Sequence, residues 1–109
     1  MSSYGRVEIG KDWIGFCHQG SWIVISIKED EIRIAEEITF EVPIGSQLGK
    51  IQLVIKGGKV YVETPIGKYE LAKPEEFINE IRKINEEIVK VKNKSLYEKI
   101  NKILSSQHT

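Results

Sequence analysis

From Trp13 to Ala72 apolar and polar residues alternate with a period of two, and short turn-forming pairs interrupt the alternation. Trp13–His18 and Trp22–Lys28 flank Gln19-Gly20, a two-residue hairpin turn. Pairing across that turn sets Cys17 opposite Trp22, Phe16 opposite Ile23 and Ile14 opposite Ile25. One face then reads Ile14, Phe16, Ile23, Ile25, Ile27, a core face. The other carries Trp13, Gly15, Cys17, Trp22, Val24 and Ser26 and is too apolar to be simply wet. Glu29-Asp30 closes the next hairpin, with Ile27 opposite Ile32 and Ile25 opposite Ile34, so the core face continues without a slip. Ile38, Phe40, Val42 and Ile44 alternate with Thr39, Glu41 and Pro43 in a further strand, which Pro43 places at an edge or ends. Residues 45–49 read as a loop. Gly57-Gly58 is the strongest turn signal, because glycine reaches the positive φ angles of a type I′ turn. It pairs Ile55 with Val60, Leu53 with Val62 and Ile51 with Thr64. The predicted strands are 13–18, 22–28, 31–36, 38–43, 50–56, 59–64 and 68–72.

The period then changes to about 3.5. Pro74 suits the first helical position and Glu75 and Glu76 the first turn. Phe77, Ile81, Ile84, Ile88 and Val91 repeat at steps of four and three, and Asn93 suits a residue just past a helix end. Ser95-x-x-Glu98 has the form of a capping box ahead of a second apolar set, Leu96, Ile100, Ile103 and Leu104. The five-residue step from Val91 to Leu96 rotates the stripe by roughly 140° in a continuous helix, so a break is expected at 92–95. Ser105–Thr109 should fray.

Length and composition place these elements in one domain. The chain has 109 residues, 40% hydrophobic and 29% charged, a globular balance. We divide it into a flexible N-terminus (1–5), a folded domain (6–92) and a C-terminal amphipathic helical extension with a frayed end (93–109). The Lys/Glu-rich charge set is compatible with a thermophilic, archaeal source, and AT-rich coding drift accounts for it equally well. Net charge is zero, spread as −3 over residues 1–50 and +3 over 51–109, which gives no long-range steering to nucleic acid or membrane. The single cysteine, Cys17, and a start without basic and apolar signal-peptide regions point to a cytoplasmic protein. No apolar run approaches the ~20 residues of a membrane span.

The stretch from Val54 through Gly57-Gly58 to Val62, then Tyr69-Glu70-Leu71 and Pro74–Ile81, resembles the pleckstrin-homology (PH) superfamily, including its GRAM and bacterial or archaeal members. The likeness is one of pattern over about residues 13–92. It implies an α+β fold: a seven-stranded antiparallel barrel or sandwich closed by a C-terminal helix, here with a second short amphipathic helix. The helix lacks the Trp common in eukaryotic PH domains, and Phe77 stands in the packing role. The first hairpin turn, His18-Gln19-Gly20-Ser21, has no Lys or Arg, so the likeness does not extend to phosphoinositide binding. Residues 44–51 alone resemble a PRC-type barrel.

Candidate chemistry is sparse. Cys17 and His18 are adjacent on a strand and point to opposite faces, so they do not form a nucleophile–base pair. Two His and one Cys supply no zinc set without carboxylates. No catalytic residue, metal ligand or cofactor is assigned, and we expect a non-enzymatic protein-interaction or assembly module. Its candidate contact residues are Trp13 and Trp22, on a face opposite the core that either the protein's own helix or N-terminal segment covers or a partner meets, and Leu96, Ile100, Ile103 and Leu104, which either fold back on the domain or meet a protein partner or second chain. The alternative is weak binding of nucleic acid or an anionic surface through Lys90, Lys92, Lys94, Lys99 and Lys102.

Overall fold

The computed structural model describes the backbone of residues 6–42 and 45–106 and the side chains of 6–36 and 51–105. Residues 1–5, 43–44 and 107–109, with Pro43, Ile44 and His108 among them, lie outside the described residues. Strands β1 (Val7–Ile9), β2 (Trp13–His18), β3 (Ser21–Lys28), β4 (Glu31–Val42), β5 (Gly45–Lys56), β6 (Lys59–Thr64) and β7 (Gly67–Glu70) pair in chain order in one antiparallel sheet. The hairpin registers follow the two-residue turns. Cys17 pairs with Trp22, Phe16 with Ile23, Ile25 with Ile34, Ile27 with Ile32, and Ile55 with Val60. Gln19 and Gly20 take φ of 51° and 84°, and Gly57 and Gly58 take 58° and 76°, the type I′ pattern that matches strand twist.

The strands number seven, as expected, but they are not the same seven. Predicted strands 31–36 and 38–43 are one strand, because Glu36-Glu37 leaves the parity of Ile32, Ile34 and Ile38 intact. The expected loop 45–49 is also strand, its glycines taking rungs opposite Val42 and Ile38. Val7–Ile9 adds a strand the pattern did not reveal. Pairing of β5 with β6 ends at Gln52–Glu63, one rung short of Ile51–Thr64.

The sheet is open: β1 and β7 are its edges and do not pair with each other, which corrects the expectation of a closed barrel. Ile9 in β1 and Tyr69 in β7 share the rungs of the core face through Ile14 and Val62, yet are 50% and 55% exposed. A closed barrel would bury both. Helices cover the middle of that face instead. Ile14, Phe16, Ile25, Ile32 and Ile55 join Ile81, Ile88, Leu96, Ile100 and Leu104 in one buried cluster.

The helical segment begins with α1 (Pro74–Ile84), continues as a π-helical turn (Asn85–Val89) and a short α2 (Lys90–Lys92), breaks at Asn93 and resumes as α3 (Lys94–Ser106). The break falls where the phase shift places it. The π turn holds one more residue than an α turn and rotates the inward face. Ile88 and Val89 are therefore buried, while Val91, expected in the apolar stripe, is 75% exposed. The capping box at Ser95 does not form. Asn93 caps α3, its Oδ1 accepting the Leu96 N–H at 3.2 Å, and Ser95 lies exposed in the first turn.

Candidate functional site

Of the two destinations open to Leu96, Ile100, Ile103 and Leu104, the structure shows the fold-back. Leu96, Ile100 and Leu104 have no exposed surface, and Ile103 is half-buried against the same core. An open sheet leaves apolar face to cover, and α3 covers it with Leu96, Ile100 and Leu104, which have no surface left for a second chain. Two polar ties hold the helix there. Asn93 Nδ2 donates to the Gly10 carbonyl at 3.0 Å, and an Arg82 Nη donates to the Leu104 carbonyl at 3.2 Å near the C-terminus of α3, where a cation suits the helix dipole.

The lysines on this segment do not form one basic face. Lys99 sits 2.6 Å from Asp12 and holds that carboxyl below the usual carboxylate range by its hydrogen bond. Lys90 pairs with Glu86 and lies over the Tyr97 ring. The same Glu86 accepts the Tyr97 hydroxyl at 2.8 Å and so raises the phenol. Lys102 shares a hollow of about 320 Å³ with Glu29 and Asp30, acids that oppose a phosphate there. Lys92 and Lys94 are exposed on either side of the Asn93 break.

Trp13 and Trp22 share the face opposite the core, as the register requires. Trp22 lies across Gly15, where a Cβ would stand 2.6 Å from its Cζ2, and the Arg6 guanidinium stacks 4.8 Å above the ring. Trp13 lies over Gly10 and is 37% exposed. Beside them, polar pairs surround the buried Val54. Glu31 bridges Arg33 and Lys56 at 2.9 and 3.3 Å, and Arg33 also donates to Gln52. Partial burial would raise the Glu31 carboxyl, but hydrogen bonds from Lys56 and Arg33 outweigh it and lower it. Cys17 lies on this face and His18 on the other, with its ring edge-on to Phe16, so the two do not meet.

Two further features were not foreseen. The first is a ribbon. β4 and β5 pair with each other from Glu37–Lys50 to Val42–Gly45, beyond the last rung of β3 with β4 (Ile23–Glu36) and of β5 with β6 (Gln52–Glu63). These six rungs extend about 20 Å. Among the described residues no strand flanks either edge.

The second is a groove of about 230 Å³ at the root of that ribbon, between the β2–β3 turn, the sheet and α1. Ile23, Ile34, Leu53, Phe77, Ile81 and Ile84 make its floor. His18, Gln19, Ser21, Glu36 and Glu80 make its rim, and among the described residues no Lys or Arg lines it. Glu36 alone gave no sequence signal beyond a solvated strand end. Its meaning comes from Glu80, 44 positions later, which only the fold brings to the same groove.

Among the described residues no group of three or more His, Cys, Asp or Glu side chains is gathered to hold a metal ion, and no helix is long and apolar enough to cross a membrane. No protein-family model, curated protein or solved structure matches the chain.

Proposed function

We propose that this chain is a non-enzymatic, cytoplasmic protein-interaction module that takes an extended segment of a protein partner onto the β4–β5 ribbon. The observation that carries this reading is the pair of unflanked ribbon edges over six rungs. An edge strand offers a row of backbone N–H and C=O groups, and strand addition satisfies them. Natural sheets blunt such edges by keeping them short, as β1 and β7 are here with three and four residues, whereas the unflanked part of the ribbon runs over six rungs. A distant relation to the PH superfamily remains part of the proposal. A meander followed by a helix supports it, and the open sheet weighs against it. The exposed Trp13 edge is a secondary contact surface in this reading.

The test removes the ribbon and keeps the domain. Deleting residues 38–49 and joining Glu37 to Lys50 through Asn-Gly preserves the rung at the ribbon root. The shortened chain should keep its dispersed amide spectrum and its thermal midpoint. Affinity capture from the native host should recover a protein with the full chain and lose it with the shortened one. Equal recovery by both, or none by the full chain, refutes the reading.

A further inference from the structure

We propose that the groove between the β2–β3 turn and α1 is a binding site for a small organic ammonium ion carrying a hydrocarbon body. The inference is independent of the ribbon. Three observations converge on that chemistry.

The floor is apolar and preformed. Ile23, Ile34, Ile81 and Ile84 are buried at 3–8% exposure, with rotamers fixed by the core, so a ligand meets a surface already in place. The volume, about 230 Å³, is some seven to eight times the ~30 Å³ that a molecule of liquid water occupies. That suits a single ring or short chain rather than a peptide segment.

The charge on the rim has one sign. Glu36 comes from the last β3–β4 rung and Glu80 from α1, so the two carboxylates belong to facing elements. Neither forms an ion pair with a described residue, so no described cation competes for the ligand's ammonium group. Glu36 is half-buried, and its charge is correspondingly less screened than that of a fully solvated side chain.

The carboxylates act singly. With no group of three potential ligands gathered among the described residues, the rim does not build the six to eight oxygen ligands of a calcium site. An ammonium needs no such cage. It takes one or two acceptors at the rim and leaves its hydrocarbon body to the floor. Gln19, Ser21 and His18 supply further hydrogen-bonding groups on the same rim.

An isosteric series reads the proposal directly. The full chain is titrated with 2-phenylethylamine, 2-phenylethanol and phenylacetate, each to about 10 mM, and followed by amide chemical shifts. The amine should shift the amides of Ser21, Ile34, Glu36, Phe77 and Ile81 and saturate. Surface carboxylates contribute only a few-fold each, so the amine should bind about tenfold tighter than the alcohol. Phenylacetate should not saturate. Glu36→Gln and Glu80→Gln should each weaken the amine about threefold and leave the alcohol unchanged. Unchanged alcohol binding shows that the groove is intact in each variant. Equal affinity for amine and alcohol overturns the proposal. So does the absence of saturable shifts in the groove, or tighter binding of N-acetyl-lysine methylamide than of the aryl amine, which would assign the groove to a protein side chain.

Discussion

Asn93 is the hinge on which the helical segment turns back, and replacing it with alanine isolates what that turn is worth. Its Oδ1 accepts the Leu96 N–H, and its Nδ2 donates to the Gly10 carbonyl in the β1–β2 connection. Losing an N-cap oxygen costs about 1 kcal/mol. Losing the second bond costs a further ~0.5–1.5 kcal/mol, at the upper end if the half-buried carbonyl finds no water. Asn93→Ala should therefore destabilise by about 2 kcal/mol. With an unfolding entropy of ~2.1 cal/mol/K per residue, each kcal/mol lowers the midpoint of a chain this size by about 4 °C, so Tm should fall by about 8 °C. Asn93→Asp separates the two bonds. It keeps the cap, which a negative charge suits, and puts an oxygen against the Gly10 carbonyl. Its stability should fall between those of wild type and Asn93→Ala. Urea unfolding followed by circular dichroism gives the free energies, and hydrogen exchange at Leu96 reports the cap. A loss under about 0.5 kcal/mol for Asn93→Ala, the scatter of ordinary surface substitutions, would refute the argument that these two bonds fasten the helix.

Three other perturbations test the same architecture. A chain ending at Asn93 gives up Leu96, Ile100 and Leu104, worth about 1.5–3 kcal/mol each, which approaches the whole stability of a typical domain; it should lose amide dispersion, and a well-folded monomer would contradict the placement of α3. Gly15→Ala drives a Cβ into the Trp22 indole and should cost about 1–3 kcal/mol with a change in tryptophan emission, whereas an unchanged spectrum and stability would deny the contact. Asp12 and Glu31 have lowered folded-state values, so their contribution is full above their unfolded values near 4 and is lost as pH falls through the lowered ones; below about pH 4.5 the Asp12→Asn, Glu31→Gln double variant should lose less Tm than wild type, and parallel curves would count against both ion pairs.

The legible part of the fold is the part fixed by local rules. Gln19-Gly20, Glu29-Asp30 and Gly57-Gly58 are two-residue turns, and once such a turn is placed the register of its hairpin follows from counting. β1 escaped because Val7-Glu8-Ile9 is only three residues long and is joined to β2 through Gly10-Lys11-Asp12, which no turn rule singles out. Its pairing is held by distant groups instead, Asn93 on the Gly10 carbonyl and Lys99 on Asp12. Openness of the sheet was equally hidden, since strand periodicity is the same in an open sheet and a closed one. The groove could not be read at all. It is assembled from residues between His18 and Ile84 that share no spacing, and its carboxylates acquire a common role only after the sheet and α1 have packed.

The helical segment shows why a correct pattern can leave the place of a segment open. A strict α period carries Val91 to the inside and leaves Leu96 out of phase, which makes the second apolar set look spare. The π turn at Asn85–Val89 absorbs that phase difference, and Asn93 reverses the chain. Asn85 is buried, and its Nδ2 donates to the Tyr97 carbonyl, which ties the π turn to α3. The meeting of the helices buries Ile88 and Val89 on one side and Leu96 and Ile100 on the other. A segment whose apolar residues are buried to that extent is scaffold. In the proposed reading, contact chemistry comes from surfaces outside that scaffold: the ribbon, which no other described strand flanks, and the rim carboxylates Glu36 and Glu80.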